Sequence, residues 1–254
     1  MKGLILAGGK GTRLRPLTIN TPKPVVPVAN APFLLYQIDL MRSGGIEEII
    51  LSLSYQPRKI EDLLKDGSDY GVWIRYAVEG TPLGTGGAFK NAEEQIDSTT
   101  VVFNGDVLTS IDLSAVIARH REKGAVATLV LTPVENPSAY GLVETSADGW
   151  VQRFVEKPGP DEITCNTINA GIYVLEPSVL NCSFPRCSST RSLFCRSSWI
   201  ATGSISAHPE SISKSTRTSL RRNSPRHACP RARWIVRRWR RVRWWTRNRS
   251  SIRM

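Results

Sequence analysis

The chain has 254 residues, with 34 Lys and Arg against 22 Asp and Glu and a formal net charge of +12 at pH 7. No apolar run approaches the about 18 residues that span a bilayer, and the apolar N-terminal stretch is short and runs straight into glycines. We therefore expect no membrane partner, no secretory signal, and a cytoplasmic location in which the thiols stay reduced.

The charge divides unevenly between two parts of the chain. Residues 1–180 hold 16 basic and 21 acidic residues, the balance of an ordinary soluble domain, and are long enough to bury a substantial core. Residues 181–254 hold 18 basic residues and one acidic residue, Glu210, with five of the seven Trp. The apolar residues of this tail follow no helical or strand period, and the spacing of its cysteines matches no zinc-binding pattern. We therefore predict a domain over 1–180 and an irregular, disordered tail over 181–254.

Apolar runs alternate with helical patterns through the first part. This alternation predicts an α/β fold with a doubly wound, mostly parallel, Rossmann-like sheet and helices on both faces. Ligands of such sheets bind beyond the carboxyl ends of the strands. The predicted strands are Gly3–Ala7, Glu48–Ser54, Val72–Val78, Thr100–Asn104, Ala127–Thr132 and Ile168–Leu175, and the predicted helices are Phe33–Ser43, Pro57–Lys65, Gly86–Gln95 and Leu113–Lys123.

A glycine-rich loop over residues 8–13 follows the first predicted strand. Its three glycines in four positions allow a tight turn whose backbone N–H groups can face one ligand, and Lys10 and Arg13 add positive charge. A polyphosphate suits such a cradle. The spacing excludes two familiar loops, because Walker A needs Ser or Thr where Gly11 stands and the pattern G-x-G-x-x-G breaks at Leu14. An ordinary glycine-rich turn is the structural alternative.

A carboxylate stands at the end of a later predicted strand. Asp106 closes the sequence Asn104-Gly105-Asp106 after an apolar run, so it can meet the glycine loop at one edge of the sheet. Mg²⁺ typically takes one or two carboxylates and fills its shell with phosphate oxygens and water, which makes Asp106 a candidate ligand. The structural alternative is a turn residue, or the cap of the helix that starts near Leu113.

The stretch GLILAGGKGTRLRPLT, followed by Pro22-Lys23-Pro24, resembles the signature of the sugar-nucleotide pyrophosphorylases. These enzymes join a sugar 1-phosphate to a nucleoside triphosphate and release pyrophosphate. The resemblance covers roughly residues 1–180 and includes N-G-D at Asp106, E-K-P at Glu156 and N-A-G at Asn169, in family order. It implies a nucleotidyltransferase sheet, a nucleoside triphosphate and a sugar 1-phosphate as substrates, and Mg²⁺ as cofactor.

The resemblance also implies a role for each matching residue. Arg13, Lys23 and Asp106 would be catalytic: Asp106 would hold Mg²⁺, and this ion, Arg13 and Lys23 would offset the charge of two approaching anions. The implied nucleotide-binding residues are Leu6, Ala7, Gly8, Gly9, Gly11, Thr12, Arg13, Glu79, Gly84 and Gly86, with Glu79 able to accept from a guanine edge. The implied sugar-phosphate-binding residues are Gly141, Glu156, Lys157 and Asn169.

The run EGTPLGTGGA, residues 79–88, looks most like mannose-1-phosphate guanylyltransferases and related heptose-phosphate guanylyltransferases. The resemblance therefore favours GTP and mannose 1-phosphate, while uridylyl- and thymidylyltransferases stay open. The assembly state is open as well, with a homo-oligomer as one option.

The tail resembles the family in a different reading frame. Members of the family continue with Y-W-I-D-I-G-T-P, whose Asp is the second metal ligand, and no such segment stands here as written. Codons for Ala201–Pro209, read from the third base of the Ala201 codon, can encode those eight residues in order. We therefore predict that a frameshift between about Tyr173 and Trp199 replaced the natural C-terminal part.

Two alternatives to an active transferase follow from the tail. One is a catalytically impaired remnant that binds nucleotide, since the second metal carboxylate is missing. The other is a nucleic-acid-binding protein, because Arg-rich sequence interleaved with Trp234, Trp239, Trp244 and Trp245 can contact phosphates and stack on bases. The frameshift explains the same composition, so we do not expect nucleic acid as a partner.

Overall fold

The computed structural model describes residues 1–156, 158–181 and 199–202, all within the first of the two units, Met1–Ala207 and His208–Met254, into which the chain divides. The strands are β1 Lys2–Leu6, β2 Pro27–Val28, β3 Ala31–Pro32, β4 Glu48–Leu53, β5 Trp73–Val78, β6 Thr100–Asn104, β7 Ala127–Pro133, β8 Gly141–Thr145, β9 Val151–Glu156, β10 Thr167–Leu175 and β11 Trp199–Thr202. The α-helices are α1 Phe33–Ser43, α2 Pro57–Leu64, α3 Gly84–Asn91 and α4 Leu113–Lys123. The 3₁₀ turns are Thr12–Leu14, Lys23–Val25, Ser68–Tyr70, Glu93–Gln95, Pro137–Ala139, Pro160–Glu162 and Pro177–Asn181.

A mixed sheet of nine strands forms the centre of this part of the chain. Its main order is β11-β7-β10-β6-β1-β4-β5, and the hairpin β8–β9 is attached to β10. Strands β5, β4, β1 and β6 are parallel neighbours, whereas β10 runs antiparallel to both β6 and β7. The predicted mostly parallel sheet is therefore confirmed, with β10 inserted in the opposite direction.

The two faces of the sheet bury alternate residues of the same strands. In β1, Ile5 packs in the cluster that holds the apolar sides of α1, α2 and α4, while Leu4 packs in the cluster around Phe89 of α3. A strand that is covered on both faces reads as a continuous apolar run, which is why β1, β4 and β6 can be predicted from the sequence. The predicted arrangement of helices on both faces is confirmed.

Some elements differ from their predicted limits. The helix predicted over Gly86–Gln95 is divided into α3 and a 3₁₀ turn, because Ala92 N–H donates to Phe89 O and Gln95 N–H to Ala92 O in the tighter three-residue pattern. The hairpin β2–β3 has no counterpart among the predicted elements. It is only two residues long on each side, too short for a period.

Strand β11 lies inside the segment predicted to be irregular. It pairs in parallel with β7, and Ile200 and Ala201 are buried. For these four residues the prediction of an irregular tail is wrong. The rest of the tail, including Glu210, the Trp-rich stretch and most of the proposed frameshifted run, lies outside the described residues, so the boundary at 180 stays a prediction. None of the described helices is long and apolar enough to cross a bilayer.

Strand register brings three loops to one end of the sheet. Leu6 at the end of β1 is opposite Asn104 at the end of β6 and Ser52 near the end of β4. Leu53 at the end of β4 is in turn opposite Val78 at the end of β5. The residues that follow β1, β5 and β6 therefore emerge at the same end of the sheet, which we call the carboxyl end. The opposite end, where those strands begin, is the amino end.

Candidate active site

A cavity of about 320 Å³ opens at the carboxyl end of the sheet. It is the position at which ligands bind in open α/β sheets. Residues following β1, β5 and β6 form its walls, with part of α3 and the Lys23–Val25 turn. The lining residues are Leu6, Ala7, Gly8, Gly9, Lys23, Pro24, Glu79, Pro82, Gly84, Thr85, Ala88, Asn104, Gly105 and Asp106.

Asp106 reaches the cavity through a close approach of two strands. Gly105 N–H donates to Leu6 O at 2.9 Å, which ties the residue before Asp106 to the end of β1. A Cβ atom at Gly105 would lie 2.4 Å from Leu6 O, so only glycine fits there. The Asn104-Gly105-Asp106 sequence therefore brings its carboxylate beside the glycine loop because of backbone packing, as well as strand order.

Asp106 and Lys23 form an ion pair in the cavity wall. Lys23 Nζ lies 2.8 Å from Asp106 Oδ2, and the side chains are 27% and 56% exposed. An exposed pair of this kind contributes little to stability. The pair does, however, hold an ammonium group and a carboxylate together at a surface where an anionic ligand can displace or share them.

The donor set at Asp106 fits a phosphate-bound magnesium ion. Among the described residues, no three His, Cys, Asp or Glu side chains form a cluster that could hold a metal by themselves. Mg²⁺ usually keeps several waters and takes one or two carboxylates plus phosphate oxygens, so a single exposed carboxylate in a cavity with room for a ligand suffices. The chemistry of Asp106 is therefore compatible with the cofactor predicted from the sequence.

The glycine loop is only partly in the cavity wall. Gly8 and Gly9 line it, whereas Gly11, Thr12 and Arg13 do not. Gly11 adopts a φ of +61°, and a Cβ there would come within 3.0 Å of the Lys23 side chain. The left-handed backbone at Gly11 thus lets the loop pack on the residue that pairs with Asp106, while Arg13 stays exposed in the turn that follows.

Glu79 lines the cavity but is engaged with the protein. It is 7% exposed, and Oε1 accepts from Ser52 Oγ at 2.8 Å while Oε2 accepts from Leu83 N–H at 3.0 Å. The carboxylate therefore fastens the glycine-rich turn before α3 to strand β4. Of the two glycines predicted in that turn, Gly84 lines the cavity, and Gly86 lies within α3 outside its wall.

The residues predicted on the sugar side lie on neighbouring strands. Gly141 of β8 is opposite Glu156 of β9, and Leu142 is opposite Ile168 of β10, one residue before Asn169. The three residues thus form a row across β10, β8 and β9. They lie outside the wall of the cavity that holds Asp106. Lys157, the fourth, lies outside the described residues.

A buried hydroxyl links this row to the cavity. Asn169 Nδ2 donates to the Tyr173 hydroxyl at 2.8 Å, and Asn169 Oδ1 accepts from Gly171 N–H at 2.9 Å. Burial raises the pKa of Tyr173 above its ordinary value, opposed by hydrogen bonds with Asn169 and Asn104. Since Asn104 lines the cavity, Tyr173 connects the sugar-side row with the strand that carries Asp106.

Several lining residues were missed by sequence reasoning. Asn104 and Gly105 directly precede Asp106, so their place at a strand end was a usable signal. Pro82 and Thr85 belong to the predicted glycine-rich turn, where only the glycines were singled out. Pro24 and Ala88 stand in quoted motifs, but their side chains offer no polar group that would mark them as lining residues.

The chain is similar in sequence to known nucleotidyltransferases. A family model described as "Nucleotidyl transferase" matches residues 2–193. A mannose-1-phosphate guanyltransferase of Yarrowia lipolytica is 45% identical over 186 residues, which cover 71% of this chain and 51% of that protein. A UTP–glucose-1-phosphate uridylyltransferase of Synechocystis is 39% identical over 195 residues, covering 71% and 50%.

A solved structure extends the likeness to the fold. HddC from Yersinia pseudotuberculosis, complexed with GMP-PN, has a TM-score of 0.67 and 28% identity, covering 86% of this chain and 99% of that one. The chain spans about half the length of the curated relatives it matches.

Proposed function

Because the chain belongs to the nucleotidyl transferase family, we propose that it transfers a nucleotidyl group from a nucleoside triphosphate to a sugar 1-phosphate. The observation that carries the proposal is the Lys23–Asp106 pair beside Gly8 and Gly9 in one cavity. A cation, a carboxylate and a glycine backbone together suit a triphosphate. The products would be a nucleoside diphosphate sugar and pyrophosphate.

The proposed reaction needs charge neutralisation more than proton transfer. An oxygen of the sugar 1-phosphate attacks the α-phosphorus, and the bond to the leaving pyrophosphate breaks. Because a phosphate monoester loses its second proton near pH 6, the attacking oxygen needs no general base at neutral pH. Lys23, Arg13 and the N–H groups of the glycine loop would lower the repulsion between the two anions and stabilise the leaving charge.

Asp106 would hold Mg²⁺ together with oxygens of the triphosphate. A bound Mg²⁺ neutralises negative charge on the phosphates during phosphoryl transfer. On the other side, Gly141, Glu156, Lys157 and Asn169 would bind the sugar and its phosphate. The row across β10, β8 and β9 supports this division, since it runs away from Asp106 along neighbouring strands.

For the finer assignment we favour GTP and mannose 1-phosphate. The support is the glycine-rich turn before α3 and the name of the Yarrowia lipolytica relative, which is a guanyltransferase. The uridylyltransferase relative keeps UTP as the competing base. Glu79, with each carboxylate oxygen accepting one protein hydrogen bond, would act on the base mainly by holding that turn in place.

The proposed frameshift bears on catalysis by this chain. If the reading frame changed between about Tyr173 and Trp199, the second metal carboxylate of the family is missing, and the chain as written should bind nucleotide but transfer slowly. Restoring the frame in the DNA should restore transfer. A one-base insertion or deletion found near codon 180 in the DNA, with an intact frame downstream, would support the frameshift.

The first experiment separates binding from turnover. Dissociation constants of GTP, UTP and dTTP are measured by calorimetry with and without Mg²⁺ in the wild-type chain, Asp106→Asn and Asp112→Asn. Asp112 is a matched control because it caps α4 with its side chain, and Asn caps equally well. Asp106→Asn should abolish the strengthening by Mg²⁺, while Asp112→Asn should leave it unchanged.

The second experiment measures pyrophosphate release from GTP with mannose 1-phosphate, in the chain as written and with the frame restored. Slow release that the restored frame accelerates supports both proposals. Equal rates would contradict the role of the missing carboxylate. If neither chain binds any nucleotide or releases pyrophosphate, the transferase proposal is wrong.

A further inference from the structure

A glutamine stands on the buried side of α1, among apolar residues. Gln37 is 2% exposed and lies within one or two helical turns of Leu34, Ile38 and Met41, which are also buried. A polar side chain at such a position costs free energy unless its hydrogen bonds are made in the protein. The hydrogen bonds that Gln37 makes must therefore offset the cost of burying its amide group.

Gln37 donates two hydrogen bonds to the turn that carries Asp106. Its Nε2 lies 2.9 Å from Asn104 O and 2.8 Å from Val107 O, the carbonyls on either side of the Gly105-Asp106 dipeptide. Both partners are acceptors, so the amide nitrogen must face them. The side-chain oxygen of Gln37 has no hydrogen-bond partner among the described residues and is buried. The residue thus leaves its own acceptor unpaired while it supplies both donors to the turn.

The turn is held from two sides. Gly105 N–H is bonded to Leu6 O of β1, and the carbonyls of Asn104 and Val107 are bonded to α1 through Gln37. The Asp106 side chain is 56% exposed and contacts Lys23, so packing does little to fix its direction. We infer that Gln37 is a positioning residue that fixes the backbone of residues 104–107, so that the Asp106 carboxylate faces a phosphate-bound divalent cation.

The inference rests on the proposed function, in which Asp106 holds the cation. A positioning role for Gln37 also predicts which contribution to nucleotide binding is lost when Gln37 is replaced. Gly8 and Gly9 follow β1 and have no hydrogen bond to Gln37 among the described residues. Loss of Gln37 should therefore weaken the contribution of the cation and spare the contribution of the glycine loop and Lys23.

The test compares Gln37→Met with Ile38→Val. Methionine keeps the length and burial of the side chain but removes both donors, whereas Ile38→Val perturbs packing of the same helix and leaves the donors in place. Binding of GTP, or of UTP where UTP binds more tightly, is titrated by calorimetry at increasing Mg²⁺. Mn²⁺ binding in the presence of the nucleotide is followed by electron paramagnetic resonance.

For Gln37→Met we expect the half-saturating Mg²⁺ and Mn²⁺ concentrations to rise about tenfold, as the loss of two neutral hydrogen bonds can produce. Nucleotide affinity without metal should stay within about twofold of wild type. Ile38→Val should match wild type in both measurements. Equal metal requirements in Gln37→Met and wild type would overturn the inference. Equal losses with and without metal would also overturn it, because they indicate a general structural role.

A second variant covers the case in which Gln37→Met does not fold. Gln37→Ala removes the donors without placing an apolar group against the two carbonyls, and the same rise in metal requirement is expected. If wild-type nucleotide binding is itself insensitive to Mg²⁺ and Mn²⁺, the metal role of Asp106 fails and this inference fails with it. If wild type requires the metal and the Gln37 variants have the same metal requirement as wild type, the proposed function stands and the positioning role of Gln37 is wrong.

Discussion

The two ends of the sheet each carry a lysine–aspartate pair, and the surroundings of the two pairs differ. At the amino end, the Lys2 side chain is 9% exposed and donates hydrogen bonds to Asp97 at 2.9 Å and to the carbonyl of Gln95 at 2.8 Å, and its Nζ forms an ion pair with Glu48 at 3.3 Å. At the carboxyl end, Lys23 is 27% exposed and lies 2.8 Å from Asp106. The described residues thus accept two hydrogen bonds from the Lys2 ammonium group and place a second carboxylate beside it, whereas Lys23 donates one hydrogen bond, to Asp106, and keeps more capacity for a ligand.

A buried histidine extends the same contrast. His120 Nδ1 lies 2.8 Å from Thr128 Oγ1 and Nε2 lies 2.9 Å from Glu176 Oε1, which also accepts from Thr99 Oγ1. These groups join α4, β7, β10 and the start of β6 at the amino end. Leu17, Leu83 and Leu108, in the loops that follow β1, β5 and β6, are exposed apolar side chains near the carboxyl end, while Trp73 at the start of β5 is exposed at the amino end. Buried polar contacts thus join the elements at the amino end, and the cavity lies at the other end.

The largest expected effect is on the amino end. His120→Ala should lower the free energy of unfolding by about 3 kcal/mol, because it leaves a cavity and removes the partner of Thr128 and Glu176. Denaturant unfolding measures the loss. Nucleotide affinity, measured well below the unfolding transition, should not change. A parallel loss of affinity would contradict the separation of the two ends.

The carboxyl end should respond in the opposite way. Lys23→Met should weaken nucleotide binding by about 2 kcal/mol, roughly thirtyfold, since the charge-assisted hydrogen bond that we propose from Lys23 to phosphate would be lost. The melting temperature should stay near that of wild type, because an exposed pair stabilises little. Calorimetry and thermal unfolding test the two statements. Lys90→Met, which breaks the exposed pair between Lys90 and Glu93, is the control and should change neither.

The sequence predicts those parts of the molecule in which a residue type indicates one structural feature by itself, without knowledge of distant contacts. A strand that is covered on both faces must be apolar throughout, so β1 and β6 can be read directly, and Asp106 stands out as the first carboxylate after such a run. The glycine at 105 reads as a turn, but its close approach to Leu6 O appears only in the folded backbone.

Other features depend on contacts between distant residues. Gln37 interrupts an apolar stripe of α1, which the sequence shows, but its partners are 67 and 70 residues away. The reversed direction of β10 follows from the hairpin β8–β9 that precedes it, and periodicity is the same in either direction. The pairing of β11 with β7 likewise depends on the sheet already formed by the rest of the domain.

At Glu79 the separation between stability and nucleotide binding should disappear, because a substitution there should lower both. It lies at the carboxyl end, yet it is buried and bonded to Ser52 and Leu83. Glu79→Gln keeps one acceptor and turns an amide N–H₂ toward a donor, so the free energy of unfolding should fall by about 1 kcal/mol. The free energy of nucleotide binding should weaken by a similar amount, because the turn before α3 is held less firmly. Glu94→Gln, an exposed change on the neighbouring 3₁₀ turn, should alter neither.

The smallest expected effect is a change in the pH dependence of stability at the amino end. The hydrogen bond from Lys2, followed by that from Ser98, holds the pKa of Asp97 below its ordinary value of 3.8. A carboxyl whose pKa is lower in the folded state adds stability above its ordinary pKa, and this stability is lost as the pH falls through the lowered value. Asp97→Asn should therefore be less stable than wild type at neutral pH, and the difference should shrink below about pH 4. Acid titration of denaturant midpoints measures this convergence.

The partner lysine decides whether the Asp97 effect comes from the pair. In a Lys2→Met background, Asp97→Asn should lose most of its pH-dependent effect, because the group that lowers the pKa of Asp97 is gone. An unchanged effect in that background would assign the lowered pKa to Ser98 and separate Asp97 from the amino-end network. The same cycle with Lys23→Met and Asp106→Asn should show little coupling in stability and strong coupling in nucleotide affinity. Two lysine–aspartate pairs of nearly the same length, 2.9 and 2.8 Å, would then differ in function through the number of protein contacts that each lysine makes.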